Sequence, residues 1–128
     1  MNVLLDTHIL LWAAFTPERI SSKGRSILED RENQLFYSAA SFFEIVIKRS
    51  LGRSDFRVEP SLLRRGLRDN GYAELPITTA HTLMLESLPP LHKDPFDRIL
   101  LAQAVVEGMT LLTSDTIVAR YPGPIQKL

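Results

Sequence analysis

Four carboxylates stand at telling places in the chain. Asp6 ends the apolar run "NVLL", Glu44 lies within "SFFEIVIK", Asp97 within "DPFDRILLAQA", and Asp115 closes "LLTSD". Acids brought together repel one another, and the pKa of at least one member rises. A hard divalent cation relieves that repulsion through carboxylate oxygens and waters. Held there, such an ion activates a water and neutralises charge on a phosphoryl oxygen. Metal-assisted chemistry at a phosphoryl group is the reading these residue types favour, if the fold brings them together.

The elements that must do so are legible as alternating strands and helices. "NVLL" (2–5) and "QLFYS" (34–38) suit buried strands, "AELPI" (73–77) a short one limited by Pro76, and "MTLLTSD" (109–115) a fourth. Helical turns are expected from Thr7 to about Ala14 and over 18–31 behind Pro17. Further helices follow from 39 to Gly52, over 60–70 between Pro60 and Asn70–Gly71, over 78–87, and over 95–107 ahead of Gly108. The tail "YPGPIQKL" offers a short edge strand. This alternation, with connections long enough for crossovers, predicts an α/β fold. Its sheet is mostly parallel, with four to five strands and helices on both faces. Ligands of such sheets bind beyond the carboxyl ends of the strands. Asp6 and Asp115 fall at that edge. Glu44 falls one to two turns into the helix after the second strand, and Asp97 in the first turn of the helix leading to the fourth.

Each acid also has a structural explanation. Asp6 suits the N-cap of the turn beginning at Thr7, and Asp115 the cap of a helix over 116–120. "SFFE" fits a capping box between Ser41 and Glu44, although Ser38 offers an earlier cap. For Asp94, which precedes Pro95, the cap is the stronger reading. Asp97 is sharper. As the third helical residue it favours the helix dipole, yet it shares a face with Leu100, Leu101 and Ala104. That face points inward, where an acid needs a partner, and Arg98 lies a quarter-turn away. A metal suits the role. His8, His81 and His92 lack zinc-site spacing and read as hydrogen-bonding residues. Ser38, Ser41 and Ser114 have no histidine–acid pair placed beside them by the sequence.

With 128 residues, one domain over 1–128 is expected. The chain has no cysteine and hence no thiolate site or disulfide. Fifteen Lys and Arg balance fifteen Asp and Glu, so no bulk field draws nucleic acid. The charges are nevertheless uneven: Lys48, Arg49, Arg53, Arg57, Arg64, Arg65 and Arg68 are opposed only by Asp55 and Glu59. That stretch fits either a phosphate-facing surface or a solvated one. The start "MNVLLDTHILLWAAF" carries an acid and no basic leader, unlike a signal peptide. No apolar run approaches the ~20 residues that span a bilayer. A cytoplasmic protein without membrane contact is expected.

"LLDTHILLW", "SAASFFEIVIK", "LPPLHKDPFDRILLAQA" and "LLTSDTIVARY", in that order between Asn2 and Tyr121, together resemble the PIN-domain ribonucleases. Within that group they are similar to the VapC-type toxins of bacterial toxin–antitoxin pairs. The resemblance implies a three-layer α/β/α sandwich and RNA cleavage dependent on Mg²⁺ or Mn²⁺. It places the family's catalytic and metal-binding acids on Asp6, Glu44, Asp97 and Asp115. Asp94 matches a recurrent acid of structural or supporting role, and Thr7 and Ser114 match polar positions beside the first and last acids. A homodimer and a cognate antitoxin covering the site are also implied. On that reading Asp6 and Asp97 hold the ion directly, with Glu44 and Asp115 as further ligands or acting through water. Lys48, Arg49, Arg53 and Arg98 would hold the RNA backbone, and Thr7 and Ser114 would orient waters or phosphate oxygens. Two rivals are a phosphotransfer domain and a non-catalytic PIN-like module that binds RNA or protein. The first lacks its second acid, since position 8 is His, and the intact acidic set speaks against the second.

Overall fold

In the computed structural model, which describes residues 1–53 and 57–128, the apolar runs become five parallel strands. These are β1 (Asn2–Leu5), β2 (Gln34–Ser38), β3 (Ala73–Leu75), β4 (Thr110–Thr113) and β5 (Ile125–Lys127), in the spatial order β3-β2-β1-β4-β5. The central strand β1 is buried on both faces, which explains why it reads as an unbroken apolar run rather than an alternating one. Its side chains still obey the two-residue period. Val3 and Leu5 join Leu112 in one core, and Leu4 joins Leu111 in the other.

Six α-helices cover the sheet: α1 (Thr7–Phe15), α2 (Ser22–Glu29), α3 (Ala39–Ser50), α4 (Pro60–Asp69), α5 (Thr79–Met84) and α6 (Pro95–Glu107), as found among the described residues. The first core takes Ile9 and Leu10 from α1, Ile45 from α3, and Leu63 and Leu67 from α4. The second takes Leu100, Leu101 and Ala104 from α6, with Val118 and Tyr121. The result is the expected three-layer α/β/α sandwich. Among the described residues no helix is long and apolar enough to cross a membrane.

Several boundaries differ from the sequence expectation: β3 ends at Leu75, short of 77, and the helix expected over 78–87 divides into α5 and a 3-10 turn, Leu85–Ser87. The helix expected over 18–31 divides into a 3-10 turn, Pro17–Arg19, and α2, because the Ser21 hydroxyl takes the Gly24 N–H at 3.2 Å and caps a new start. Gly24 is needed there: a Cβ would lie 2.6 Å from Ile20 Cγ2 and 2.7 Å from Leu128 Cδ1. β4 stops at Thr113, so Ser114 and Asp115 belong to the following loop. The helix expected over 116–120 shrinks to a 3-10 turn, Val118–Arg120.

Strand order places the site. From β1 the chain builds outward to β2 and β3, while β4 and β5 occupy the other side. The direction of winding therefore reverses between β1 and β4, and the crevice beyond their carboxyl ends is where such sheets bind ligands.

Candidate metal centre

Asp6 directly follows β1, and its N–H still bonds the Leu112 carbonyl of β4 at 3.0 Å. Its carboxylate serves two elements. Oδ1 accepts the Ile9 N–H at 2.9 Å and caps α1, while Oδ2 accepts the Thr113 hydroxyl. Cap and candidate ligand are thus the same residue. Burial pushes the Asp6 pKa up against these two hydrogen bonds and the nearby His8, and the Asp115 charge adds to the rise.

Asp115 likewise combines both roles. Its Oδ1 accepts from Ile117 N–H at 2.7 Å and Val118 N–H at 3.0 Å, folding the turn that follows. Burial alone would raise its pKa. The two backbone donors and His92 outweigh burial, and the net shift is downward. Asp94 caps α6, accepting from Phe96 N–H at 2.8 Å and Asp97 N–H at 3.4 Å with Pro95 behind it.

Asp97 faces inward, as its apolar neighbours on α6 require. Its pKa is pushed up to about 7, first by burial, then by the negative charges of Asp94 and Asp6; His92 offsets part of this and Glu44 adds to it. Acids from β1, α3 and the two ends of one helix turn therefore lie close enough to feel one another.

Glu44 settles the ambiguity at the head of α3. Ser38 is the N-cap, taking the Ala40 N–H at 2.9 Å, so "SFFE" is not a capping box and Glu44 sits in mid-helix. Only 2% exposed, it pairs Oε2 with Lys48 Nζ at 2.7 Å. Its other oxygen, Oε1, is buried with no hydrogen-bond partner among the described residues. An orphaned carboxylate oxygen is costly in a protein interior, and a cation is the partner that suits it.

The sequence reading passes over the central imidazole. His92 Nε2 lies 2.9 Å from Asp97 Oδ2 and 3.4 Å from Asp115 Oδ2. Potential ligand atoms of His92, Asp97 and Asp115 all fall within 4.8 Å of one another. Asp6 and Glu44 stand outside that tight group and reach it through their charge on Asp97. The five-residue spacing from His92 to Asp97 crosses a loop, where no periodicity betrays proximity. Buried carboxylates, one with an unmatched oxygen, form a donor set that fits a hard divalent cation.

Several expected supporting residues sit elsewhere. The hydroxyl that touches the acids is Thr113, not Ser114. Thr113 is fully buried and both donates to Asp6 and accepts the Asp115 N–H at 3.0 Å. Thr7 is buried, and its hydroxyl donates to Ser41 at 3.0 Å rather than facing an open cleft. Lys48 is not part of a solvated basic strip, because one helical turn brings it onto Glu44. Arg98 donates to the Leu85 carbonyl at 3.2 Å, Arg49 pairs with Glu59 at 3.1 Å, and Arg53 is exposed. Asp55, one of the two acids opposing the basic stretch, lies outside the described residues.

Comparison with known proteins bears on the family and the fold. The PIN domain family model matches residues 3–124. Ribonuclease VapC22 of Mycobacterium tuberculosis is 30% identical over 131 aligned residues, covering 97% of this chain and 96% of the relative. Among solved structures, VapBC2 from Rickettsia felis bound to a promoter DNA fragment superposes with a TM-score of 0.73 at 16% identity, covering 100% of this chain and 99% of its counterpart. DNA-bound VapBC from Salmonella typhimurium gives 0.67 at 13% identity, covering 99% and 98%.

Proposed function

The chain belongs to the PIN domain family, and from that premise we propose that it is a metal-dependent endoribonuclease, the toxin of a toxin–antitoxin pair, built as one PIN domain over residues 1–128. The observation that carries the proposal is the convergence at the β1–β4 crevice: His92, Asp97 and Asp115 within 4.8 Å, with Asp6 and Glu44 acting on Asp97 through their charge.

Asp97, Asp115, Asp6 and Glu44 are the residues that would hold Mg²⁺ or Mn²⁺. When bound, the ion supplies charge neutralisation at a phosphodiester oxygen and an acidified water. The chain's own groups prepare that site. Thr113 and the Ile9 N–H fix the Asp6 carboxylate, and Lys48 turns Glu44 so that Oε2 is occupied and Oε1 is left for the ion. Asp97, its pKa raised to about 7 by burial and the neighbouring acids, is the carboxylate whose charge a cation would offset. Asp94 fixes the helix start from which Asp97 projects. Arg49 and Arg53, at and just beyond the carboxyl end of α3, are exposed cations that would meet an RNA backbone.

An antitoxin partner is supported by the VapBC complexes among the structural neighbours. It is further supported by an apolar groove of about 710 Å³ between α1 and α4, lined by Phe15, Leu28, Leu35, Leu62 and Leu67 among others. Exposed Phe43, Ile47 and Leu51 on and just beyond α3, with Phe43 edge-on to Phe96 at 5.6 Å, support a homodimer through that face.

The test is RNA cleavage with Mg²⁺ or Mn²⁺ by the purified chain and by Asp97→Asn and Glu44→Gln. Both variants should lose cleavage while keeping the native circular dichroism spectrum. Full activity of Asp97→Asn with Mg²⁺ present would refute the assignment. Carboxylate-independent RNA binding without cleavage would point instead to a scaffold.

A further inference from the structure

The two ring nitrogens of His92 meet partners of opposite kind. Nδ1 lies 3.1 Å from the Asp94 backbone N–H, which can only donate, so Nδ1 accepts. A neutral imidazole that accepts at Nδ1 carries its proton on Nε2. That Nε2 lies 2.9 Å from Asp97 Oδ2 and 3.4 Å from Asp115 Oδ2. The Nε2–H therefore donates to Asp115 Oδ2, while Asp97 Oδ2 lies against the same nitrogen as a close charge contact; the two carboxylates come from different elements. The backbone holding it is itself fixed: His92 N–H donates to the Tyr121 hydroxyl at 2.7 Å, and Tyr121 is buried in the second core.

We propose that His92 is a positioning residue of the metal centre. It acts as a hydrogen-bond donor locked in the Nε2–H form, gathering the Asp97 and Asp115 carboxylates to one point without itself ligating the ion. Ligation through Nε2 would displace that proton to Nδ1, where it would confront the Asp94 N–H, donor against donor. It would also strip Asp115 of a hydrogen-bond donor. In the arrangement seen, the imidazole holds Asp115 Oδ2 and keeps Asp97 Oδ2 close beside it. The inference rests on the metal reading of Asp97 and Asp115 given above, and it assigns a role to a residue that the acidic set does not include.

Glutamine and asparagine separate the two nitrogens. A Gln amide reaches near the place of Nε2 and keeps the donor, whereas an Asn amide stops near Nδ1 and loses it. Mn²⁺ binding, measured by calorimetry and electron paramagnetic resonance, should weaken about 10- to 100-fold in His92→Asn, the range for loss of a group that orients a ligand. His92→Gln should stay within about threefold of the parent. Since the chain has three histidines, ring ¹⁵N spectra can be assigned by difference. His92 should show the Nε2–H form both without metal and with Mg²⁺ bound. Unchanged Mn²⁺ affinity in His92→Asn, equal loss in both variants, or loss of the Nε2–H signal on adding Mg²⁺ would overturn the inference. Failure of the parent to bind Mn²⁺, or binding indifferent to Asp97→Asn, would overturn the metal reading and the inference with it. Binding that needs Asp97 but not His92 would overturn the inference alone.

Discussion

Replacing Asp97 with asparagine should make the metal-free protein more stable while abolishing its chemistry. The folded carboxyl has a pKa of about 7 against an ordinary 3.8, so the folded state holds this proton more tightly than the unfolded chain. Below about pH 4 both states are protonated and the group contributes nothing. As pH climbs from about 4 towards 7 the unfolded chain ionises first, so stability falls; above about 7 the loss is complete and constant. At about 1.4 kcal/mol per pKa unit the full gap is worth about 4 kcal/mol. The side chain is 18% exposed, and water reaching it screens part of that, so we expect about 2 kcal/mol. Asparagine keeps the shape and carries no charge. Urea unfolding in EDTA should show Asp97→Asn ahead by about 2 kcal/mol at pH 8, roughly 6–10 °C in melting temperature, with the advantage vanishing near pH 4. A divalent ion at a hundred times its Kd should add about 2.7 kcal/mol to the parent and nothing comparable to the variant, reversing the order. A variant less stable than the parent at pH 8 without metal, or an advantage independent of pH, would refute this account of Asp97.

Three further outcomes follow from the same geometry. Asp94→Ala removes the acceptor for the Phe96 and Asp97 N–H groups and should cost about 1 kcal/mol in urea unfolding, with a smaller loss of RNA cleavage than Asp97→Ala. Thr113→Val nearly preserves volume but leaves Asp6 Oδ2 without its donor and the Asp115 N–H without an acceptor; it should cost about 1–3 kcal/mol and raise the Asp6 pKa further, followed by its carboxyl ¹³C shift. Lys48→Met leaves the Glu44 carboxylate buried without its lysine and should destabilise the metal-free protein by about 3–5 kcal/mol, with Mn²⁺ restoring part of the melting temperature.

Much of this molecule is written in short-range pattern. Four-residue apolar runs announce buried parallel strands, Pro60 and Pro95 open helices, and Gly108, at φ +67°, closes α6. The apolar face around Asp97 marks it as an inward-facing acid before any coordinates are known. For Asp6 and Asp115 the sequence leaves cap and ligand as alternatives, and the structure removes the opposition. One oxygen of each carboxylate serves the local turn, and the other faces a residue far along the chain. Periodicity and spacing state which way a side chain points. They do not state what waits there, because that depends on the order of strands in the sheet. The Thr113 hydroxyl meets Asp6 across 107 positions, and His92 meets Asp115 across 23. The first contact exists because β4 pairs with β1. The sequence by itself determined the order of the elements, the sheet edge and which four acids to look for near it. The tertiary structure alone decided that Lys48 belongs to Glu44, that Thr113 rather than Ser114 serves the acids, and that a loop histidine joins Asp97 to Asp115. Local pattern is set by each segment's own burial, whereas hydrogen-bond partners are set by which segments the fold lays side by side.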